Sequence, residues 1–273
     1  MKCAVTVSLV PEVRGGPFVF WNDLATAAQQ AASLGFTGIE IFPSSADAID
    51  SDQVQRQLHQ NHLELAAMGT GAGWVKHKLS LTSGVEQVRL EAEAFIRAII
   101  DKAGRLGAPA IIGSMQGRWG DGIEKAQALD WLAAALDRLA HHAKQYRVPV
   151  LYEMINRYES NLINTIGEVA SFLRRLNTDN VRILADLFHM NIEEETIAAG
   201  LHAGRGTIGH IHFVDSNRRP AGFGHIDFTA VAQALRAIDY QGYLSAEALP
   251  YPDSVTAAQQ TMAAFNRFFH DGS

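Results

Sequence analysis

The run Pro149-Val150-Leu151-Tyr152-Glu153, followed one helical stretch later by Arg182-Ile183-Leu184-Ala185-Asp186, decides the fold. Both runs are short, mostly apolar and closed by a carboxylate. Neither alternates cleanly between polar and apolar residues, which is the signature of a parallel strand covered by helices. Between them Thr165 and Glu168 have capping-box spacing and lead into Val169, Phe172, Leu173 and Leu176 at helical period. The segment therefore reads as a β-α-β unit.

Working outward, the same grammar covers the chain. Further strands are expected at Ala4–Leu9, Thr37–Phe42, Leu63–Met68, Ala110–Ser114, His210–Val214 and Tyr243–Glu247, which makes eight. Helical stripes lie between them. Ala92, Phe95, Ile99, Ala103 and Leu106 precede a C-terminal Gly107, and Leu129, Leu132, Leu136, Ala140 and Ala143 form a second stripe. Gly35 closes a helix containing Leu24, Ala28 and Ala31, and Asp227 caps one carrying Phe228, Val231, Leu235 and Ile238. Eight β-then-α units predict an α/β fold, a single (β/α)₈ TIM barrel forming one domain over residues 1–273. Gly15-Gly16 does not match the dinucleotide fingerprint that an open doubly wound sheet would carry after its first strand. The longest connections, Gly69 to about Gly84 and Asp215 to His225, follow the third and seventh strands and are expected at the active-site face.

Composition narrows the function. A net charge of −6 argues against a nucleic-acid partner, whose footprint is a basic excess. A single cysteine, Cys3, excludes an intrachain disulfide and suits a reducing, cytoplasmic setting. The apolar start of the chain meets Pro11 without a small-residue cleavage site, so it reads as a first strand rather than a signal peptide. No stretch reaches the roughly 18 apolar residues of a membrane span.

Four consecutive strands end on metal-capable side chains: Glu153, Asp186, His212 and Glu247. On a barrel these tips converge at one mouth, and three carboxylates with one imidazole suit a single Mn²⁺, with Mg²⁺, Co²⁺ or Zn²⁺ as alternatives. A lone strand-end carboxylate usually satisfies loop N–H groups, so the case rests on four coinciding. Of the two histidines on the seventh strand, His212 is expected to face the lumen and His210 to pack outward or accept a hydrogen bond. His189 is placed to reach over the site, and Arg218 to meet an anionic or hydroxylated substrate. The direction of Glu40 and the role of Arg118 are left open.

The motifs around these residues resemble a known family. They are Glu153 with Asn156-Arg157-Tyr158-Glu159, Asn164-Thr165-Ile166, and Asp186 with Phe188-His189-Met190-Asn191-Ile192-Glu193-Glu194. The series continues with His212, Asp215-Ser216-Asn217-Arg218, Pro220, Gly222, Gly224-His225 and Asp227-Phe228, and ends at Glu247. The pattern is similar to the sugar isomerase/epimerase branch of the xylose-isomerase-like TIM-barrel superfamily, the branch of D-tagatose 3-epimerase and hydroxypyruvate isomerase, and most to the 5-keto-L-gluconate epimerase type. It is dense in the C-terminal half. The N-terminal half shows it in element order and in Gly113 with Gly117-Arg118. The resemblance implies Glu153, Asp186, His212 and Glu247 as metal ligands and the two glutamates as acid/base pair. It also implies substrate contacts from Glu159, His189 and Arg218, and a homo-oligomer (dimer or tetramer). Tyr152-Glu153-Met154 replaces the Glu-Pro-Leu common in relatives and is expected to alter the pocket floor.

Residues and resemblance together predict a divalent-metal-dependent epimerase or isomerase of a free keto-sugar or keto-sugar acid. A metal-dependent dehydratase of an inositol-type ketone and a non-catalytic sugar-binding barrel are the alternatives. An endonuclease for abasic DNA on the same scaffold is disfavoured by the negative charge.

Overall fold

The computed structural model describes residues 1–269. Its strands are β1 (Lys2–Ser8), β2 (Phe20–Trp21), β3 (Gly38–Phe42), β4 (Glu64–Gly69), β5 (Ala110–Ile112), β6 (Val150–Glu153), β7 (Val181–Asp186), β8 (Ile208–His212) and β9 (Tyr243–Ala246). The helices are α1 (Leu24–Ser33), α2 (Ser51–Gln60), α3 (Ala72–His77), α4 (Glu86–Arg105), α5 (Lys125–Ala143), α6 (Ile166–Leu173), α7 (Leu187–Glu193), α8 (Ile197–Ala203), α9 (Phe228–Ala237) and α10 (Ser254–Phe269).

Each strand from β3 to β9 pairs in parallel with the next, and β1 pairs with both β3 and β9, so eight strands close a (β/α)₈ barrel. The ninth, β2, is an addition the sequence pattern did not show. It pairs with Val7 and Ser8 at the C-terminal end of β1, where β9 has already ended. Strand boundaries differ by up to two residues from expectation, most at the seventh barrel strand, which begins at Ile208 rather than His210.

The capping signals work as read. Thr165 and Glu168 form a complete capping box on α6, and Asp227 accepts from Thr229 N and Ala230 N at the start of α9. Gly35 and Gly107 follow α1 and α4 at φ of 90° and 74°, where a side chain would be strained.

Two apolar clusters divide along the strand period. Val150 and Tyr152 of β6, like Ile183 and Ala185 of β7, belong to the large core between sheet and helices. Leu151 and Leu184 join Ala67 and Ile111 in a small separate cluster that plugs the lumen. Side chains two apart share a face. The register that puts Leu151 and Leu184 in the lumen therefore also puts Glu153 and Asp186 there, one layer nearer the C-terminal mouth.

Candidate active site and metal centre

At that mouth lies a cavity of about 590 Å³. Six of the seven residues singled out from sequence line it: Glu153, Glu159, His189, His212, Arg218 and Glu247. The seventh, Asp186, is wholly buried beneath them. Donor atoms of Glu153, Asp186, His212 and Glu247 all lie within 4.8 Å of one another. His212 Nδ1 stands 3.0 Å from Asp186 Oδ2, 3.2 Å from Glu153 Oε1 and 3.4 Å from Glu247 Oε2. Ligand bonds of about 2.0–2.2 Å allow donors to sit up to roughly twice that distance apart, so these four can hold one divalent ion. Three buried carboxylates also favour a cation.

The four are fixed by their surroundings. Asp186 uses Oδ1 to cap α7, accepting from Phe188 N at 2.8 Å and His189 N at 3.2 Å, and turns Oδ2 to the cluster. The loop-carboxylate role and the metal-capable role thus coexist in one side chain. Glu153 has room because residue 113 is glycine: a Cβ there would overlap its Oε2. Behind it the buried Gln116 donates to Gly113 O at 2.9 Å and Glu153 O at 3.0 Å, and accepts from Tyr152 Oη.

Tyr152 corrects an expectation. It is buried on the helix side of β6, its ring beside Phe172, and neither it nor Met154 lines the cavity. Flanking residues on a strand face away from the lumen, so the departure from Glu-Pro-Leu leaves the pocket floor alone.

His210 is a second correction. Rather than packing outward it points into the lumen with His212, because residues two apart on a strand share a face. Both reach Glu40 across the barrel: His210 Nε2 lies 2.8 Å from Glu40 Oε2, and His212 Nε2 lies 3.2 Å from Glu40 Oε1. Glu40 is therefore a lumen residue. It accepts the Nε2 proton of His212 and leaves Nδ1 facing the carboxylates, the arrangement in which a histidine offers a lone pair to a metal. Burial pushes the Glu40 carboxyl up, but the charge on His212 and the hydrogen bonds from both histidines outweigh it and hold the group well below the usual range.

The two glutamates differ from Asp186 and His212 in access. The side chains of Glu153 and Glu247 are 10% and 12% exposed, those of Asp186 and His212 0% and 1%. Only the glutamates retain appreciable surface toward the cavity. Burial raises the Glu247 carboxyl to about 8, against the pull of His212 and Arg218 and with a further push from Glu153 and Asp186.

Arg218 comes from the long β8–α9 connection. Its Nη1 is 3.0 Å from Asp186 Oδ2, its Nη2 pairs with Glu247, and its guanidinium lies over the Phe188 ring at 4.8 Å. The loop is braced by buried Asp215, which accepts from the N–H groups of Ser216, Gly222 and Ile226 at 2.7–3.1 Å. His189 is 2% exposed, and burial lowers it to about 4 against the attraction of Asp186. Asn156 presents its side-chain amide at 2.7 Å and its backbone N–H at 3.3 Å to His189 Nδ1. That nitrogen accepts from Asn156, and Nε2 lies 3.4 Å from Arg218 Nη1. Asn156 also donates to Glu159 Oε1 at 3.0 Å. Asn156 stood in the quoted motif without a role, and Gln116 had no signal; both act by fixing neighbours distant in sequence. Arg157 turns away to pair with Glu193.

The family described as xylose isomerase-like TIM barrel matches residues 28–268. The chain belongs to that family. Among curated relatives, 3-dehydro-D-guloside 4-epimerase of Escherichia coli (strain K12) is 28% identical over 222 residues, covering 77% of this chain and 81% of its own length. L-ribulose 3-epimerase of Methylomonas sp. (strain DH-1) is 27% identical over 266 residues, 94% of this chain and 91% of that one. The crystal structure of a D-allulose 3-epimerase from Methylomonas sp. with D-allulose aligns at a TM-score of 0.82 over 98% of both chains with 24% identity, a likeness of fold.

Proposed function

We propose that this protein inverts a carbon next to the ketone of a keto-sugar, with Glu153 and Glu247 exchanging the proton. The chain is an enzyme of the sugar epimerase and isomerase type, as are its named relatives. The observation that carries the reading is the cluster in which two buried glutamates keep more exposed side-chain surface at the cavity than Asp186 or His212. Glu153, Asp186, His212 and Glu247 would hold a divalent ion, which would supply Lewis-acid polarisation of a carbonyl and stabilisation of the negative charge left by proton removal.

The protein's own residues do the rest. One glutamate removes the hydrogen on the carbon beside the carbonyl and the other returns a proton on the opposite face, which inverts the centre. Arg218, charged between Asp186 and Glu247, draws both toward the carboxylate form, holding Asp186 low and offsetting part of the burial that raises Glu247. His189 and Glu159, both lining the cavity, contact substrate oxygens, Glu159 accepting from a hydroxyl. Arg218 is already paired with carboxylates, so it is a poorer reader of a substrate carboxylate than the sequence suggested.

Manganese is the proposed ion, on an oxygen-rich donor set with one imidazole. A cytoplasmic setting and assembly as a dimer or tetramer belong to the same proposal. The first is supported by the lone buried Cys3, the second by the resemblance alone. No helix of the described residues is long and apolar enough to cross a membrane.

The test is incubation with Mn²⁺ in D₂O of D-fructose, D-psicose, L-ribulose and 5-keto-gluconate. Deuterium should enter at the carbon beside the ketone and the epimer should accumulate. A product lighter by one water would replace the reading by dehydration, and absence of exchange with every ketose would end it.

Glu40 carries a separate expectation. Glu40→Gln should weaken Mn²⁺ binding by about 10–100-fold, because His212 loses the charged partner that fixes its ring and raises its basicity. Calorimetric titration of the folded variant reads this directly. An unchanged affinity would reduce Glu40 to a lumen filler.

A further inference from the structure

A second cavity of about 620 Å³ adjoins the first along Trp74, Gly117 and Arg118, which line both. Each volume lies in the range of about 300–1,000 Å³ typical of small-ligand sites. The outer cavity gathers Trp74, Trp119 and Trp131, three of the four tryptophans in the chain.

These surfaces are held ready. Trp119 is fastened to Asn161 by three hydrogen bonds: its backbone N–H to Asn161 Oδ1 at 3.0 Å, its indole N–H to Asn161 O at 2.8 Å, and Asn161 Nδ2 to Trp119 O at 3.0 Å. Trp119 nonetheless remains 40% exposed, and Trp74 37%. The loop beneath is pinned at Gly117, whose φ of 91° and close approach to Ser80 and Thr82 leave no space for a side chain. Arg118 is anchored through its backbone by Thr82, while its exposed guanidinium has no partner among the described residues. Lys78 Nζ lies over the Trp74 ring at 5.2 Å.

A braced, part-exposed indole at Trp119 beside the uncommitted guanidinium of Arg118 matches one ligand chemistry closely. A pyranose ring offers a face of C–H groups to an indole and hydroxyls at its rim to Arg118 and Asp121. We propose that the outer cavity is a subsite for a second sugar ring, so that the preferred substrate is a keto-sugar glycosylated at the end remote from its ketone. The proposal rests on the keto-sugar reading of the inner cavity.

Isomaltulose, a fructose bearing glucose on its sixth oxygen, is the probe, and D-fructose the control. The Mn²⁺-loaded enzyme should show a lower KM for isomaltulose than for D-fructose in the D₂O exchange assay. Trp119→Ala should raise the isomaltulose KM about tenfold and leave the D-fructose KM in place, while Trp119→Phe, which keeps an aromatic face, should recover most of the loss. Equal KM values for both sugars that Trp119→Ala does not move would overturn the subsite and leave the epimerase reading standing. If neither sugar exchanges, the epimerase reading has failed for these ketoses, and tryptophan fluorescence then decides the subsite. Quenching by isomaltulose but not by D-fructose, lost in Trp119→Ala, supports it; no such quenching refutes it.

Discussion

Glu153→Gln and Glu247→Gln, each saturated with Mn²⁺, are expected to lose about 10²–10⁴-fold in hydrogen exchange, the usual contribution of a positioned acid or base. Glutamine keeps the shape and one oxygen for coordination but cannot accept the proton. The two variants should also differ from each other. If each glutamate serves one face of the substrate, each variant suppresses removal of hydrogen most strongly from a different epimer. Exchange followed by NMR from both epimers reads this asymmetry. A variant that binds Mn²⁺ and exchanges at the wild-type rate would show that its glutamate is only a ligand. The expectation is anchored in access: Glu153 and Glu247 keep 10% and 12% of their side-chain surface, whereas Asp186 has none to offer a substrate.

Metal addition should produce the second large effect. Donor atoms of three carboxylates and His212 lie within 4.8 Å of one another, with Arg218 paired to Asp186 and Glu247 beside them. An ion that binds only the folded state at about 100 times its Kd stabilises by about 2.7 kcal/mol. For a chain of this size that corresponds to a rise in Tm of about 5–10 °C. Calorimetry of chelator-treated protein with and without Mn²⁺ measures it. Asp186→Asn should abolish most of the shift while still capping α7, since an amide oxygen can accept from Phe188 N and His189 N in place of Oδ1. No metal-dependent shift in the unmodified protein would count against the metal centre.

How much of this was legible beforehand follows from the range over which each signal acts. The barrel could be read because its cues are local: eight apolar runs, helical stripes between them, and caps such as Thr165 with Glu168. The candidate ligands could be read because parallel strands deliver their C-terminal tips to one mouth, so four strand ends name four neighbours without any distance being known. The two-residue β2 was missed because so short a run has no period. The same two-residue period, correctly applied, would have turned His210 inward with His212.

The sequence by itself determined the barrel and the residues able to gather at its mouth. The tertiary structure alone decided that Glu40, on the far side of the lumen, joins His210 and His212, and that Arg218 folds back onto Asp186 and Glu247. It also decided that the tryptophans gather in an outer cavity. Those pairings link residues as much as 172 positions apart. Strand register, barrel closure and loop path set them, and no local pattern of residues encodes such contacts.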